Sequence, residues 1–267
     1  MTNIQRSLFL LFILSACSSD TKEENNQTGA SYIADKISAA ESQLSIPNNQ
    51  VVDHYKILLM GNSHINNLAS MIEPLIKARF PLKEVTISNA PGNDYLAERI
   101  DNKSSVELLI NSPWTHVILQ AQKYSTTGQY SYPIDAAIAW INLSKNQNTT
   151  PIMFPEHPRF GNINEGLQVH LLHQEIATIE PACVAPIGLA WDRAIALYPS
   201  ISLHSGDDNH ANSTGRLLSA LVFYQVITGE SADALPYVDT IDIDEVLQNQ
   251  LGEVASYAIE ANPACDY

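Results

Sequence analysis

Beyond residue 50, short apolar runs alternate with longer stretches in which apolar positions recur every three or four residues. That alternation predicts strands joined by helical crossovers, and therefore a mostly parallel sheet. The first strand is Tyr55-Lys56-Ile57-Leu58-Leu59-Met60, and it stops at Gly61-Asn62-Ser63-His64. A helix is expected over residues 66–80, with Leu68, Met71, Ile72, Leu75 and Ile76 on its core face and Pro74 as an awkward interior residue. Further strands are expected at 84–88, 116–120, 151–154 and 183–187, which makes five. Helical patterns at 132–144, 164–179 and 188–197 lie between and after them. The last long one, 212–228, is closed by Gly229, a residue suited to ending a helix, and another near 243–259 would cover one face of the sheet. The pattern contains no internal repeat, and no loop is long or biased enough to mark a second domain.

The start of the chain follows a different rule. Arg6 precedes the apolar run Leu8-Phe9-Leu10-Leu11-Phe12-Ile13-Leu14, followed by Ser15-Ala16-Cys17. This has the layout of a signal peptide and is too short for a mature membrane span, which needs about 20 residues. Leu14-Ser15-Ala16-Cys17 resembles the bacterial lipobox, which implies cleavage before Cys17 and a lipid on its thiol. Ser18, where some lipoproteins carry aspartate, resembles those sent to an outer membrane. Residues 18–50 are rich in Ser, Asn, Gln, Thr and Glu and poor in large apolar residues, and read as a polar tether. Residues 51–267 then form one domain with a sizeable core.

A formal net charge of −15 argues against a nucleic-acid partner, whose binding draws on Lys and Arg, and favours a neutral substrate. Membrane contact is expected only through the N-terminal anchor. Of three cysteines, Cys17 belongs to that anchor. Cys183 and Cys265 are left as a pair in an oxidising compartment, expected to join as a disulfide. No C-x-x-C spacing or His-Cys cluster points to zinc. His170 and His173 read as ordinary surface or core residues, so no metal is expected.

In an open parallel sheet the loops after the strands' carboxyl ends converge on one crevice, and Ser63 stands in such a loop. A serine there gains amide donors from the helix N-terminus, although alone it reads equally as a helix N-cap. Far along the chain, Asp207-Asp208-Asn209-His210 puts an acid three residues before a histidine, close enough to hold one tautomer of the ring. A histidine so held can take a serine proton and return it to a leaving group. Taken alone, the same four residues read as a polar loop capping the next helix.

Gly61-Asn62-Ser63-His64 after an apolar strand, with Asp207-x-x-His210 near the C-terminus, resembles the SGNH or GDSL-like hydrolase superfamily, in the variant whose nucleophile motif is G-N-S. The likeness runs over residues 54–230. It implies a flavodoxin-like three-layer α/β/α fold, Ser63 as nucleophile, His210 as base and Asp207 as its orienting acid. It also implies that the N–H groups of Ser63 and Gly92, the latter in Asn89-Ala90-Pro91-Gly92-Asn93, stabilise an oxyanion. The superfamily's G-x-N-D sequence after the third strand is absent, and Leu119-Gln120-Ala121-Gln122 stands there instead. Either Gln120 or Gln122 is then the expected side-chain donor in place of the asparagine; losing such a donor costs on the order of 3 to 4 kcal/mol.

Asn62, His64 and His157 are the remaining candidates for substrate contact, with His64 equally readable as solvent-facing. Glu156-His157-Pro158-Arg159 reads first as a proline-bounded loop with solvated charges, and Trp191 and Tyr124 as packing residues. The resemblance implies a cofactor-free ester hydrolase of the bacterial cell envelope, acting through an acyl-serine on a small acyl group, such as acetyl, carried by a glycan or another hydroxylated molecule. An acyltransferase using the same residues and a catalytically silent ligand-binding lipoprotein are the competing readings.

Overall fold

The computed structural model describes residues 44–267. The signal peptide, Cys17 and most of the tether lie outside the described residues. Among the described residues the chain forms five strands and eight α-helices. They run β1 (His54–Met60), α1 (Ala69–Arg79), β2 (Glu84–Asn89), α2 (Leu96–Arg99), α3 (Lys103–Ile110), β3 (His116–Leu119) and α4 (Asp135–Asn146). β4 (Thr150–Met153), α5 (Glu165–Ile179), β5 (Cys183–Val184), α6 (Ile187–Leu197), α7 (Ser213–Thr228) and α8 (Glu245–Ala261) complete it.

All strand pairs are parallel, in the order β2-β1-β3-β4-β5, which is the flavodoxin-like order. Each helix crosses over one face or the other, so the sheet is covered on both sides and its central strands read as continuous apolar runs. β1 illustrates this. Tyr55, Ile57 and Leu59 point into a core with α1, α6, α7 and α8, whereas Leu58 and Met60 point into a second core with α2, α3 and α4. The three-layer α/β/α architecture expected from the resemblance is the architecture of this chain.

Register decides where the strands end. Met60 pairs with Leu119, Leu119 with Met153, and Leu59 with Asn89. The segments that follow, 61–64, 90–93, 120–122 and 154–157, therefore leave the sheet along a single edge, side by side.

Several expectations shift in detail. β5 is two residues long rather than five, because Pro186 has no N–H to give a ladder and α6 begins directly after it. Two helices not anticipated, α2 and α3, occupy the crossover between β2 and β3; α3 is capped by Asn102, whose side chain accepts from the N–H groups of Ser104 and Ser105. Residues 44–50, polar in composition, lie against the domain. Ile46 is buried, Asn49 Nδ2 donates to the carbonyls of Thr115 and Asn148, and Lys145 Nζ donates to the Leu44 carbonyl. The helix ending at Gly229, with φ +74°, closes as its sequence suggests. Cys183 and Cys265 form a disulfide that ties the C-terminal tail to β5. Among the described residues no helix is long and apolar enough to cross a membrane.

Candidate active site

Ser63 opens a single 3-10 turn, Ser63–Ile65, at the end of β1. Asn62 fixes that turn from both sides: its Oδ1 accepts from the His64 N–H at 3.1 Å, and its own N–H donates to Gln120 Oε1 at 2.7 Å. The closeness of that second contact explains Gly61. A Cβ there would lie 2.2 Å from Gln120 Oε1, so no larger residue fits without displacing the amide.

The second segment, the loop before α7, is organised around one carboxylate oxygen. Asp207 Oδ1 accepts from the Ser205 hydroxyl at 2.7 Å and from the N–H groups of Asn209 and His210 at 3.1 and 2.9 Å. Asp208 takes a left-handed φ of +59° to let the chain turn that tightly. The other oxygen, Oδ2, meets His210 Nδ1 at 2.5 Å. These donors, led by the His210 N–H, hold the Asp207 carboxyl well below the usual carboxylate range. Beyond the loop, α7 is apolar nearly all round and packs against α1, α6 and α8, so His210 is mounted beside the most buried helix of the domain.

The two segments meet where His210 Nε2 lies 2.7 Å from Ser63 Oγ. A hydroxyl, an imidazole and a carboxylate thus stand in one hydrogen-bonded line, drawn from residues 147 positions apart.

Behind this line lies a buried layer. His64 stacks on His210 with ring centres 4.9 Å apart, and meets His157 edge-on at 5.1 Å. His157 in turn stacks flat on Trp191 at 3.9 Å. Burial, and next the neighbouring His210, push the His64 imidazole down to about 4; burial takes His157 down to about 3. Glu156 is 9% exposed, and burial pushes its carboxyl up to about 7. Its Oε1 accepts from Gln120 Nε2 at 2.5 Å. Here the sequence reading needs correction, because the charges expected to be solvated in the 156–159 loop include a buried carboxyl and a buried imidazole. The strand-end register carries both beneath the Ser63 turn.

The glutamines are committed elsewhere. Gln120 is fully buried, its Oε1 taken by the Asn62 N–H and its Nε2 by Glu156. Gln122 Nε2 donates to the carbonyls of Lys123 and Pro133 at 3.0 and 3.1 Å. By contrast, among the described residues the main-chain N–H groups of Ser63 and Gly92 donate to no protein acceptor. Gly92 has φ +81°, and Arg99 secures its loop. That guanidinium, fully buried, donates from Nη1 to the Pro91 carbonyl and from Nη2 to the carbonyls of both Gly61 and Gly92.

The line opens on a chamber of about 530 Å³ whose walls include Asn62, Ser63, His64, Gln122, Tyr132 and Arg159. His157, Gln120 and Gly92 do not line it; the first two lie beneath it and the third to one side of the turn. Trp191 is buried, as a packing residue is, whereas Tyr124, its hydroxyl donating to Glu165, is half-buried and lines the chamber. Among the described residues no group of three or more His, Cys, Asp or Glu is gathered as a metal site. Sequence reasoning passed over Arg99 and the tyrosines at the rim, since neither a lone basic residue in a short helix nor scattered aromatics announce where they point.

No protein-family model and no curated protein matches this sequence. Solved structures do match in shape. A DUF4886 family protein from Bacteroides uniformis ATCC 8492 superposes with a TM-score of 0.64 at 16% identity, over 80% of this chain and 98% of that one. The two chains share a fold. Fainter likenesses, at TM-scores of 0.48 and 0.46, are to a candidate SGNH hydrolase from Slackia heliotrinireducens and the psychrotrophic esterase EstA from Pseudoalteromonas sp.. Identities are 19% and 14%, over 64% and 67% of this chain and 98% of each of those.

Proposed function

We propose that the protein is a serine-dependent ester hydrolase that removes small acyl groups, acetyl foremost, from a hydroxylated carrier such as a carbohydrate. The observation that carries this reading is the line from Ser63 Oγ through His210 to Asp207, with contacts of 2.7 and 2.5 Å, opening on a chamber. In that geometry Ser63 Oγ attacks the ester carbonyl while His210 Nε2 takes its proton. Asp207 keeps the imidazole in the tautomer that offers Nε2 as acceptor, and stabilises the imidazolium that forms. The tetrahedral oxyanion accepts from the free N–H groups of Ser63 and Gly92, held in place by Arg99. His210 then protonates the departing alcohol, and a water molecule, deprotonated by the same ring, releases the acid and regenerates Ser63.

The mostly polar walls of the chamber favour a short acyl group on a hydroxylated carrier over a fatty chain. The carrier's location belongs to the same reading. Processing before Cys17 would tether the domain by a lipid outside the cytoplasm, and the Cys183–Cys265 bond suits an oxidising compartment.

Protein beginning at residue 18 should hydrolyse p-nitrophenyl acetate, and Ser63→Ala should slow it at least a hundredfold while melting at an unchanged temperature. A fluorophosphonate probe should label Ser63 in peptide maps. Equal rates in the two proteins would overturn the proposal. A rate that climbs from acetyl to octanoyl esters would overturn the short-acyl part alone and would direct attention to the apolar cavity beyond Arg159, lined by Phe160, Ile163, Ile195 and Leu203.

A further inference from the structure

The Ser63 chamber has a neighbour. A second groove, of about 510 Å³, lies beside it along the 123–135 segment and the side of α5. Lys123, Tyr124 and Tyr132 line both spaces, so the two adjoin across these side chains. Each is within the size range of a small-ligand site, and together they suit a ligand built of two linked units rather than one.

The groove's chemistry is mixed in a particular way. Tyr130 and Tyr132 stand at its edge with 70% and 43% of their surface exposed, and Tyr95 stands at the chamber's rim with 38%. Lining the same groove are hydrogen-bonding atoms not taken up by the loop: the exposed carboxylates of Asp135 and Glu175 and, with its Nε2 already donating to Ser125, the Oε1 of Gln168. Flat rings beside spaced donors and acceptors complement a ligand with apolar C–H faces and a hydroxylated rim, which describes a pyranose or furanose ring. A planar aromatic ligand would use the rings alone, and an extended acyl chain neither the rings' stacking faces nor the polar atoms, whereas a sugar uses both.

Exposed aromatics on a loose loop would carry little weight, since ordering them on binding costs free energy. This loop is tied down. The Gly128 N–H and Gln168 Nε2 both donate to the Ser125 carbonyl, and the Tyr130 N–H donates to Ser125 Oγ. Gln122 Nε2, reaching Pro133, fixes the far end. The tyrosines are presented before any ligand arrives.

We infer that this groove is a carrier subsite that binds the neutral sugar unit next to the acylated one, so that the protein acts on acylated oligosaccharides or polysaccharides rather than on free monosaccharide esters. The inference deepens the esterase reading and rests on it for the meaning of the neighbouring chamber, but the binding it asserts can be measured without turnover.

The test uses protein with Ser63→Ala, which cannot consume an ester, and follows intrinsic fluorescence and saturation-transfer NMR against neutral tetrasaccharides of glucose, xylose, mannose, arabinose and galactose. At least one should bind, its monosaccharide at least tenfold more weakly, and Tyr130→Ala in the same background should lower tetrasaccharide affinity at least tenfold with an unchanged melting temperature. Gln168→Ala should weaken binding in the same direction. Absence of binding across the panel, equal affinity with and without Tyr130, or displacement of the sugar by ferulate at matching affinity would each overturn the subsite. Hydrolysis of p-nitrophenyl acetate by the unmutated protein reports separately on the esterase reading, so sugar binding without hydrolysis would sink that reading and leave the subsite standing.

Discussion

Arg99 donates from one nitrogen, Nη2, to the carbonyl of Gly92 and to the carbonyl of Gly61, both at 2.7 Å. A single buried group therefore sets the spacing between the loop that carries Ser63 and the loop that offers the Gly92 N–H. Asp94 supplies an ion-pair partner 4.0 Å away, while all of the guanidinium's hydrogen bonds go to main-chain carbonyls. Arg99→Ala should lower kcat on acetyl esters by roughly ten- to a hundredfold with KM nearly constant, in line with losing an interaction that matters chiefly in the transition state. Added guanidinium should restore part of the rate, and Arg99→Lys, lacking the planar fork, should recover less than the rescued Ala variant. A matched loss in KM, or no rescue in a folded variant, would reduce Arg99 to a packing role.

Asp207→Asn keeps a side-chain oxygen for the loop's N–H donors but presents an amide to His210, and the ring then has reason to flip its tautomer. A fall in kcat on the order of a thousandfold or more is expected, with the loop intact by NMR. A loss under tenfold would mean that His210 is oriented by something else, His64 being the nearest ring.

Acid should destabilise the fold well before the ordinary carboxylates titrate. Burial pushes five imidazoles down from 6.5: His116 and His157 to about 3, and His64, His170 and His173 to about 4. Between those values and 6.5 the unfolded chain binds protons that the folded chain refuses, so stability falls as pH drops through the window. Glu156, raised to about 7, and Asp192, raised to about 6, act in the opposite sense: the folded chain keeps protons the unfolded chain has lost, and their contribution declines as pH rises toward those values. Five groups against two leave the imidazoles dominant. Unfolding free energies from urea titrations at pH 7, 6 and 5 should fall by more than about 1.4 kcal/mol per pH unit, the equivalent of one net proton. A flat profile would show that these rings are solvated.

Replacing Cys183 and Cys265 together by serine should cost about 2 to 4 kcal/mol of stability, the usual range for a bridge closing a long loop. The proposed esterase activity should survive, because the bridge lies at the β5 edge and contributes no wall to the chamber. Chemical denaturation with and without reductant measures the first; reporter hydrolysis measures the second.

How much of this was legible beforehand differs residue by residue. β1, the apolar helix before Gly229 and the Asp207-x-x-His210 spacing are local patterns, and local patterns are what a sequence displays. α3 escaped notice because eight residues hold barely two turns and its start depends on one asparagine cap. Gln120 looked like a donor aimed at substrate, yet strand register buries it and gives its amide to Glu156. Glu156 read as a solvated charge and Arg99 drew no reading at all, since nothing in their neighbours along the chain reports which carbonyls or amides the fold will bring to them. What composition and periodicity could not supply was the identity of partners across strands.

The C-terminal tail has one more effect. Val184 on the last strand donates its N–H to the carbonyl of Ala264, next to the bridge at Cys265. The tail thereby occupies hydrogen-bonding capacity at the sheet's β5 margin, where an unpaired strand invites another chain to add itself. That covalently fastened hem discourages two copies of the domain from knitting together edge to edge.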